Sequence, residues 1–419
     1  MGPLAGIRVV DFSRVLAGPH CAQNLLDLGA EVIKIEPPSG DISRRAFPRQ
    51  GEISGYYAQQ NAGKRNISID LNVAGAREIA LRLCDDADIL VENFRPGTLA
   101  GFGLGYSDVV ARNPRVIYAS ISGYGQHGPW RGRSAYAPTV QAETGITKLS
   151  NAHFGTQPDR ARSDSLSHGD IYAGLHATIA ILAALNERSD TGRGQYIDVA
   201  MAAVMLAINE RVHVDLSNSE LGDETPVLGA TDCAFFIGPD GKWFVSPISL
   251  VGSISFPFYL AAMRRPDLAR DPRFATPEDR RRNLDALHEI VQRWIWTFED
   301  LASLDAQLDE AKIAIGAVRD ISELAESEWA TQWGATRTVP DGAGGRITVP
   351  GRPWHFTGAA KPDETTGATD AADAGLQPER RSARQGEHNE EVLRELGYTD
   401  DQITRLTNAG VLMHTRDTN

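Results

Sequence analysis

Asp170 is the residue in this sequence best placed for chemistry. It closes Ser167-His168-Gly169-Asp170, where the Ala/Leu-rich helical stretch Ile171–Glu187 begins. Asp is a favoured N-cap, so one reading is structural. The other is a covalent nucleophile: glycine at 169 admits a ligand, and a helix N-terminus favours anionic species. Gly123, Gly125 and Gly128 form a Gly-x-Gly-x-x-Gly match just after the apolar run Val116–Ile121. A dinucleotide site needs a helix at once, and Pro129 and Gly132 stand there instead. The match reads better as a glycine-rich loop whose backbone approaches a ligand.

Other chemistries find less support. The ten histidines do not cluster; His168 and His176 are spaced for one helix face but lack a third metal ligand. Cys21, Cys84 and Cys233 are far apart and offer neither a disulfide framework nor a CxxC site. No Gly-x-Ser-x-Gly elbow occurs. The turn Ser13–Gly18 lacks the paired glycines that a pyrophosphate needs, although Glu36 ends the following strand where a ribose-binding acid would stand.

These residues need a scaffold, and the pattern supplies one. Short β-branched runs at Ile7–Phe12, Glu31–Ile35, Asn66–Leu71, Ala87–Val91 and Val116–Ile121 read as buried strands. Helical segments follow Pro19 and span Ala74–Cys84. Strand and helix alternating in units of about 30 residues predict an α/β fold with a mostly parallel sheet. The Ile171–Glu187 helix is apolar nearly all round and is expected to be buried. Gln195–Val199 returns as a strand. Beyond it, a hairpin is predicted around Pro239-Asp240-Gly241, with helices at Phe256–Met263, Leu284–Phe298 and Asn389–Leu396.

The chain has 419 residues, which at ~150 per domain suggests two or three domains. The boundaries read as 1–215, a linker at 216–232, a separate unit at 233–335, and a return at 336–419 with a mobile 357–384 segment. A net charge of −13 without a long basic run argues against nucleic acid as a partner. No apolar stretch approaches the ~18 residues of a membrane span. Met1–Gly6 has no leader-like character, so a cytoplasmic location is expected.

Taken together and in order, several segments resemble the family III CoA-transferases. They include Pro3–Asp11, Leu28–Glu36, Asn61-Ala62-Gly63-Lys64-Arg65, Val91–Gly97, Ser120–Gly125, Gly169-Asp170, Thr191–Gln195, Arg265–Leu268 and Gly386-Glu387-His388. The resemblance implies a Rossmann-like large domain built from both chain ends, a smaller inserted α+β domain, and an interlocked homodimer. It implies Asp170 as the nucleophile, no permanently bound cofactor, and a coenzyme A thioester as co-substrate, with an acyl-CoA donor and a carboxylic acid acceptor.

It also implies that Arg14, Val15, Leu16, Asn93, Phe94 and Arg95 contact CoA and that Tyr136 lies near the thioester. Lys64 and Arg65 are candidate phosphate partners, the alternative for each being a salt bridge. Backbone N–H groups at Gly123 and Gly125 are candidates for oxyanion stabilisation. Two departures stand out. Oxalate-acting members carry a run of glycines where this chain reads SPISLVGSISF (Ser246–Phe256), and a basic residue often found near Gly101 is missing. The rival within the family, an α-methylacyl-CoA racemase, uses a histidine where Arg133-Ser134-Ala135-Tyr136 has alanine. A non-catalytic CoA-ester binder is the remaining alternative.

Overall fold

The computed structural model describes residues 2–51, 53–153, 162–210, 212–216, 233–342, 344–356 and 380–414. The β-branched runs become six parallel strands: β1 (Arg8–Asp11), β2 (Glu31–Glu36), β3 (Arg65–Ser68), β4 (Ile89–Glu92), β5 (Ile117–Ser122) and β6 (Tyr196–Ala200). Their order in the sheet is β3-β2-β1-β4-β5-β6. The order reverses between β1 and β4. In a doubly wound sheet the carboxyl ends of the strands at such a switch point open a crevice for ligands.

Helices cover both faces. On one face α1 (Ala17–Asp27) and the 24-residue α5 (His168–Thr191) bury Cys21, Leu25, Ala173, Ala177 and Ile181 against Val9, Val91 and Ile117. On the other, α3 (Ala76–Asp85) and the helices Asn389–Glu395 and Asp400–Asn408 pack on Val10, Leu90 and Tyr118. Between α1 and α3 in the chain lies α2 (Gly55–Asn61), and α4 (Ala137–Glu143) follows β5.

Two compact units divide the chain: Met1–Glu210 with Glu328–Asn419, and Arg211–Ser327. In the second, β7 (Ala234–Ile237) and β8 (Trp243–Ser246) form the hairpin across Pro239-Asp240-Gly241. Its core gathers Phe236, Phe244, Tyr259, Phe274 and Leu287. Among the described residues, no helix is long and apolar enough to cross a membrane.

Some expectations need correction. The Ile171–Glu187 stretch is not buried all round: Ile179 is 64% exposed in the single chain, with Tyr172 and Leu182 also exposed, because only one face of α5 meets α1 and the sheet. The expected linker and most of the 357–384 segment lie outside the described residues. The end of that segment is fixed: Arg380 pairs with Asp27, the Gly63 N–H donates to the Arg381 carbonyl at 2.9 Å, and Ser382 and Ala383 are buried.

Candidate active site

Helix α5 starts one turn earlier than the pattern suggests. Ser167 is its N-cap, so Asp170 is the third helical residue and not the cap. Its carboxylate lies in the first turn of α5. It faces the N–H groups of Ala17 and Ala137, the first residues of α1 and α4. Three helix N-termini thus meet at one partly buried carboxylate. Burial, the larger effect, pushes the Asp170 pKa up to about 6, and the two N–H groups restrain it.

Two glycines permit this meeting. A Cβ on Gly174, one turn after Asp170, would lie 2.6 Å from the Ala17 carbonyl oxygen, so only glycine lets α5 sit this close to α1. A side chain on Gly123 would run into Ala135, two residues before Ala137. Gly123 and Gly125 shape the loop that places α4, and the N–H groups of Ala17 and Ala137 face the carboxylate. Gly125 and Gly128 take positive φ, +86° and +83°, and no helix follows until Ala137, so the loop lacks the geometry of a dinucleotide fingerprint.

The switch-point crevice is lined by the turn after β1 and the segment after β4. Val15 sits at φ +68°, a strained conformation for a β-branched residue. Asn93 grips the peptide before it: Arg14 N–H donates to Asn93 Oδ1 at 2.8 Å, and Asn93 Nδ2 donates to the Arg14 carbonyl at 2.9 Å. Among the described residues Arg14 Nε is buried without a partner, which suits an anionic group of a substrate. Leu16 is buried at the head of α1. Phe94 packs on the core, and Arg95 reaches Ser134 Oγ at 2.5 Å, beside the strongly exposed Tyr136 (70%).

The two other basic residues are placed differently from expectation. Lys64 is buried, donating to Asp11 at 2.9 Å and to the Pro19 carbonyl at 3.0 Å. Arg65 pairs with Glu31, Glu391 and Glu395 at 2.6–3.1 Å. Both are engaged in ion pairs within the chain, Arg65 at the surface and Lys64 in the interior, where a surface or dimer salt bridge is the alternative expected.

Tyr56, on α2, went unnoticed in the sequence. Burial first, then the charges of Asp170 and Asp41, push its hydroxyl up to about 12, which sets it among those carboxylates. No local pattern marks it, because the neighbourhood is made by residues more than a hundred positions apart.

Comparison with known proteins adds a family. The sequence profile described as CoA-transferase family III matches residues 4–366. The formyl-CoA:oxalate CoA-transferase of Streptomyces coelicolor is 31% identical, over 98% of this chain and 99% of its own. The acetyl-CoA:oxalate CoA-transferase of Acetobacter aceti is 35% identical, over 88% and 92%. Among solved structures, a CAIB/BAIF family protein from Brucella suis superposes with a TM-score of 0.74 at 30% identity, covering 94% of this chain and 99% of its own.

Proposed function

The chain belongs to CoA-transferase family III, and from that premise we propose that it moves coenzyme A from an acyl-CoA donor to a carboxylic acid acceptor through covalent intermediates on Asp170. The observation that carries this reading is the placement of the Asp170 carboxylate, partly buried and facing the N–H groups of Ala17 and Ala137.

Asp170 Oδ attacks the thioester carbonyl, the C–S bond breaks, and CoA leaves as thiolate. The product is a mixed anhydride. The thiolate then attacks the aspartyl carbonyl, releasing the donor acid and leaving an aspartyl-CoA thioester. The acceptor carboxylate attacks that carbonyl and expels the thiolate. The thiolate attacks the acceptor's acyl carbon and regenerates the Asp170 carboxylate. Each transfer becomes a pair of easier steps. Every tetrahedral intermediate carries an oxyanion, and N–H groups fixed in advance stabilise developing negative charge at no cost in reorganisation. Ala17 and Ala137 stand where that charge develops when Asp170 is the acylated group. The free Arg14 guanidinium, with Val15, Leu16, Phe94 and Arg95, suits the CoA chain at the switch point, and Tyr136 the thioester end.

Ser246–Phe256 has the single glycine Gly252 where the family resemblance implies a glycine run in oxalate-acting members, and this favours an acceptor other than oxalate. Racemisation would need a second base, and the position expected for its histidine is Ala135, against which Gly123 packs. A homodimer fits the uncovered apolar residues Ile179 and Leu182 on α5. The test is intact-protein mass spectrometry after incubation with a panel of acyl-CoAs. An acyl or CoA adduct on wild type and none on Asp170→Ala is expected; an adduct on both would remove Asp170 from the role.

A further inference from the structure

The turn that carries Val15 is gripped at five consecutive backbone polar groups. Ser13 N–H donates to Asp11 Oδ1 at 2.9 Å, and the Ser13 carbonyl accepts from Lys34 Nζ at 2.7 Å. Asn93 takes both the N–H and the carbonyl of Arg14. Val15 N–H donates to the Asp41 carboxylate, at 3.2 and 3.3 Å to its two oxygens, and Asp41 is itself held by the buried Lys34 ammonium at 3.2 Å. Buried backbone groups are paired in most turns; here the pairing also holds a strained residue, because at φ +68° the Cβ and branched methyl groups of valine crowd the backbone. The grip also spans the point where the sheet order reverses, since Asn93 follows β4 and Arg14 follows β1. Two residues beyond Val15, the Ala17 N–H faces the Asp170 carboxylate, and α1 and α5 approach closely there: a Cβ on Gly174 would lie 2.6 Å from the Ala17 carbonyl oxygen.

We infer that Asn93 and Asp41 are positioning residues for the reaction of Asp170: they hold the Val15 turn in its left-handed conformation, which keeps the Ala17 N–H on the nucleophile. The inference rests on the reading of Asp170 as nucleophile. If Val15 relaxed to negative φ, the peptides that follow would rotate and the N-terminal N–H groups of α1 would swing away from the carboxylate. Asn93 has both polar atoms of its amide committed to Arg14, so its side chain serves the reaction through the turn.

The experiment is a single-turnover measurement of adduct formation on Asp170, followed by intact-protein mass spectrometry, with CoA binding measured separately by calorimetry. Asn93→Ala should slow acylation at saturating acyl-CoA by about tenfold or more, a loss that remains after any weakening of CoA binding at the same turn is accounted for. Asp41→Asn, which keeps an acceptor oxygen but loses the charge facing Lys34, should slow it to a smaller degree. Glycine adopts positive φ without strain. Val15→Gly in the Asn93→Ala background should therefore restore several-fold of the lost rate, a rescue that a merely structural Asn93 would not show. If Asn93→Ala fails to fold, Asn93→Asp retains the acceptor for Arg14 N–H and should give an intermediate rate. A wild type that acylates no faster than Asn93→Ala would overturn the positioning role alone, as would a Val15→Gly change that deepens the loss. A wild type that never acylates removes the nucleophile, and the positioning role with it.

Discussion

Lys64 donates to Asp11 across 2.9 Å, and neither side chain is more than 1% exposed. Asp11 also accepts from the backbone N–H and the hydroxyl of Ser13; burial pushes its carboxyl up, but the charges of Lys64 and Lys34, and then the Ser13 hydroxyl, hold it below the usual range. The pair ties the carboxyl end of β1 to the residue just before β3. Removing one member leaves an uncompensated buried charge, which costs about 3–5 kcal/mol. Lys64→Met should therefore lower the denaturant midpoint by an amount equivalent to several kcal/mol. A phosphate ligand would behave oppositely: a normal midpoint with KM for acyl-CoA raised tenfold or more would return Lys64 to the CoA site.

The pH dependence of acylation follows from Asp170. Its pKa, raised to about 6 by burial, means that the nucleophilic carboxylate is fully formed only above neutral pH. The rate of adduct formation at low acyl-CoA concentration should rise about tenfold per pH unit below 6 and level off near 7. A rate flat down to pH 4.5 would contradict the environment described for this group. Asp170→Asn should abolish the adduct at every pH, because a carboxamide is a poor nucleophile.

Two glycines of α5 should respond differently to the same change. Alanine at 174 would put a methyl 2.6 Å from the Ala17 carbonyl oxygen and 3.3 Å from Cys21 N, both backbone atoms. The helices must part, at a cost of about 1–3 kcal/mol. Acylation should slow as the Ala17 N–H moves off Asp170. At 169 the nearest atoms to an added Cβ are 3.4 Å away, Ala137 Cα and Met201 Cε, an ordinary contact. Gly169→Ala should keep the fold and gain up to ~1 kcal/mol of helix propensity. Thermal melts of both variants beside acylation rates check the contrast.

The strands and the main helices were legible because hydrophobic period is local. Ile7–Phe12, Glu31–Ile35 and Val116–Ile121 each become a strand of the parallel sheet, and α1, with Pro19 in its first turn, ends at Asp27 two residues before Gly29, whose φ of +108° suits glycine. The place of Asp170 beside a helix start was legible for the same reason. Relationships across long separations were not. Asn93 meets Arg14 over 79 positions, and Lys64 meets Asp11 over 53, so no window of sequence shows that one amide is spent on a backbone and one ammonium is buried. The helix Asp400–Asn408 does carry a local signal, the capping box formed by Thr399 and Gln402 at its start.

Glu92 offers a stability test with a definite sign. It ends β4, is 5% exposed, and accepts from Phe94 N–H at 2.8 Å. Burial, with a smaller push from Asp198, raises its pKa from 4.5 to about 7 in the folded protein. Between those values the unfolded chain loses a proton that the folded chain keeps, so this group makes stability fall as pH rises from about 4.5 to 7. The full loss is about 3 kcal/mol at tenfold per pH unit. Glutamine keeps an acceptor for Phe94 N–H and cannot ionise. Relative to wild type, Glu92→Gln should be close to neutral at pH 4.5 and more stable by about 3 kcal/mol at pH 8, as read from urea unfolding at both pH values. Because both proteins share every other titrating group, the difference between them isolates Glu92. A difference that does not change with pH would mean that Glu92 keeps the same protonation in the folded and unfolded chains.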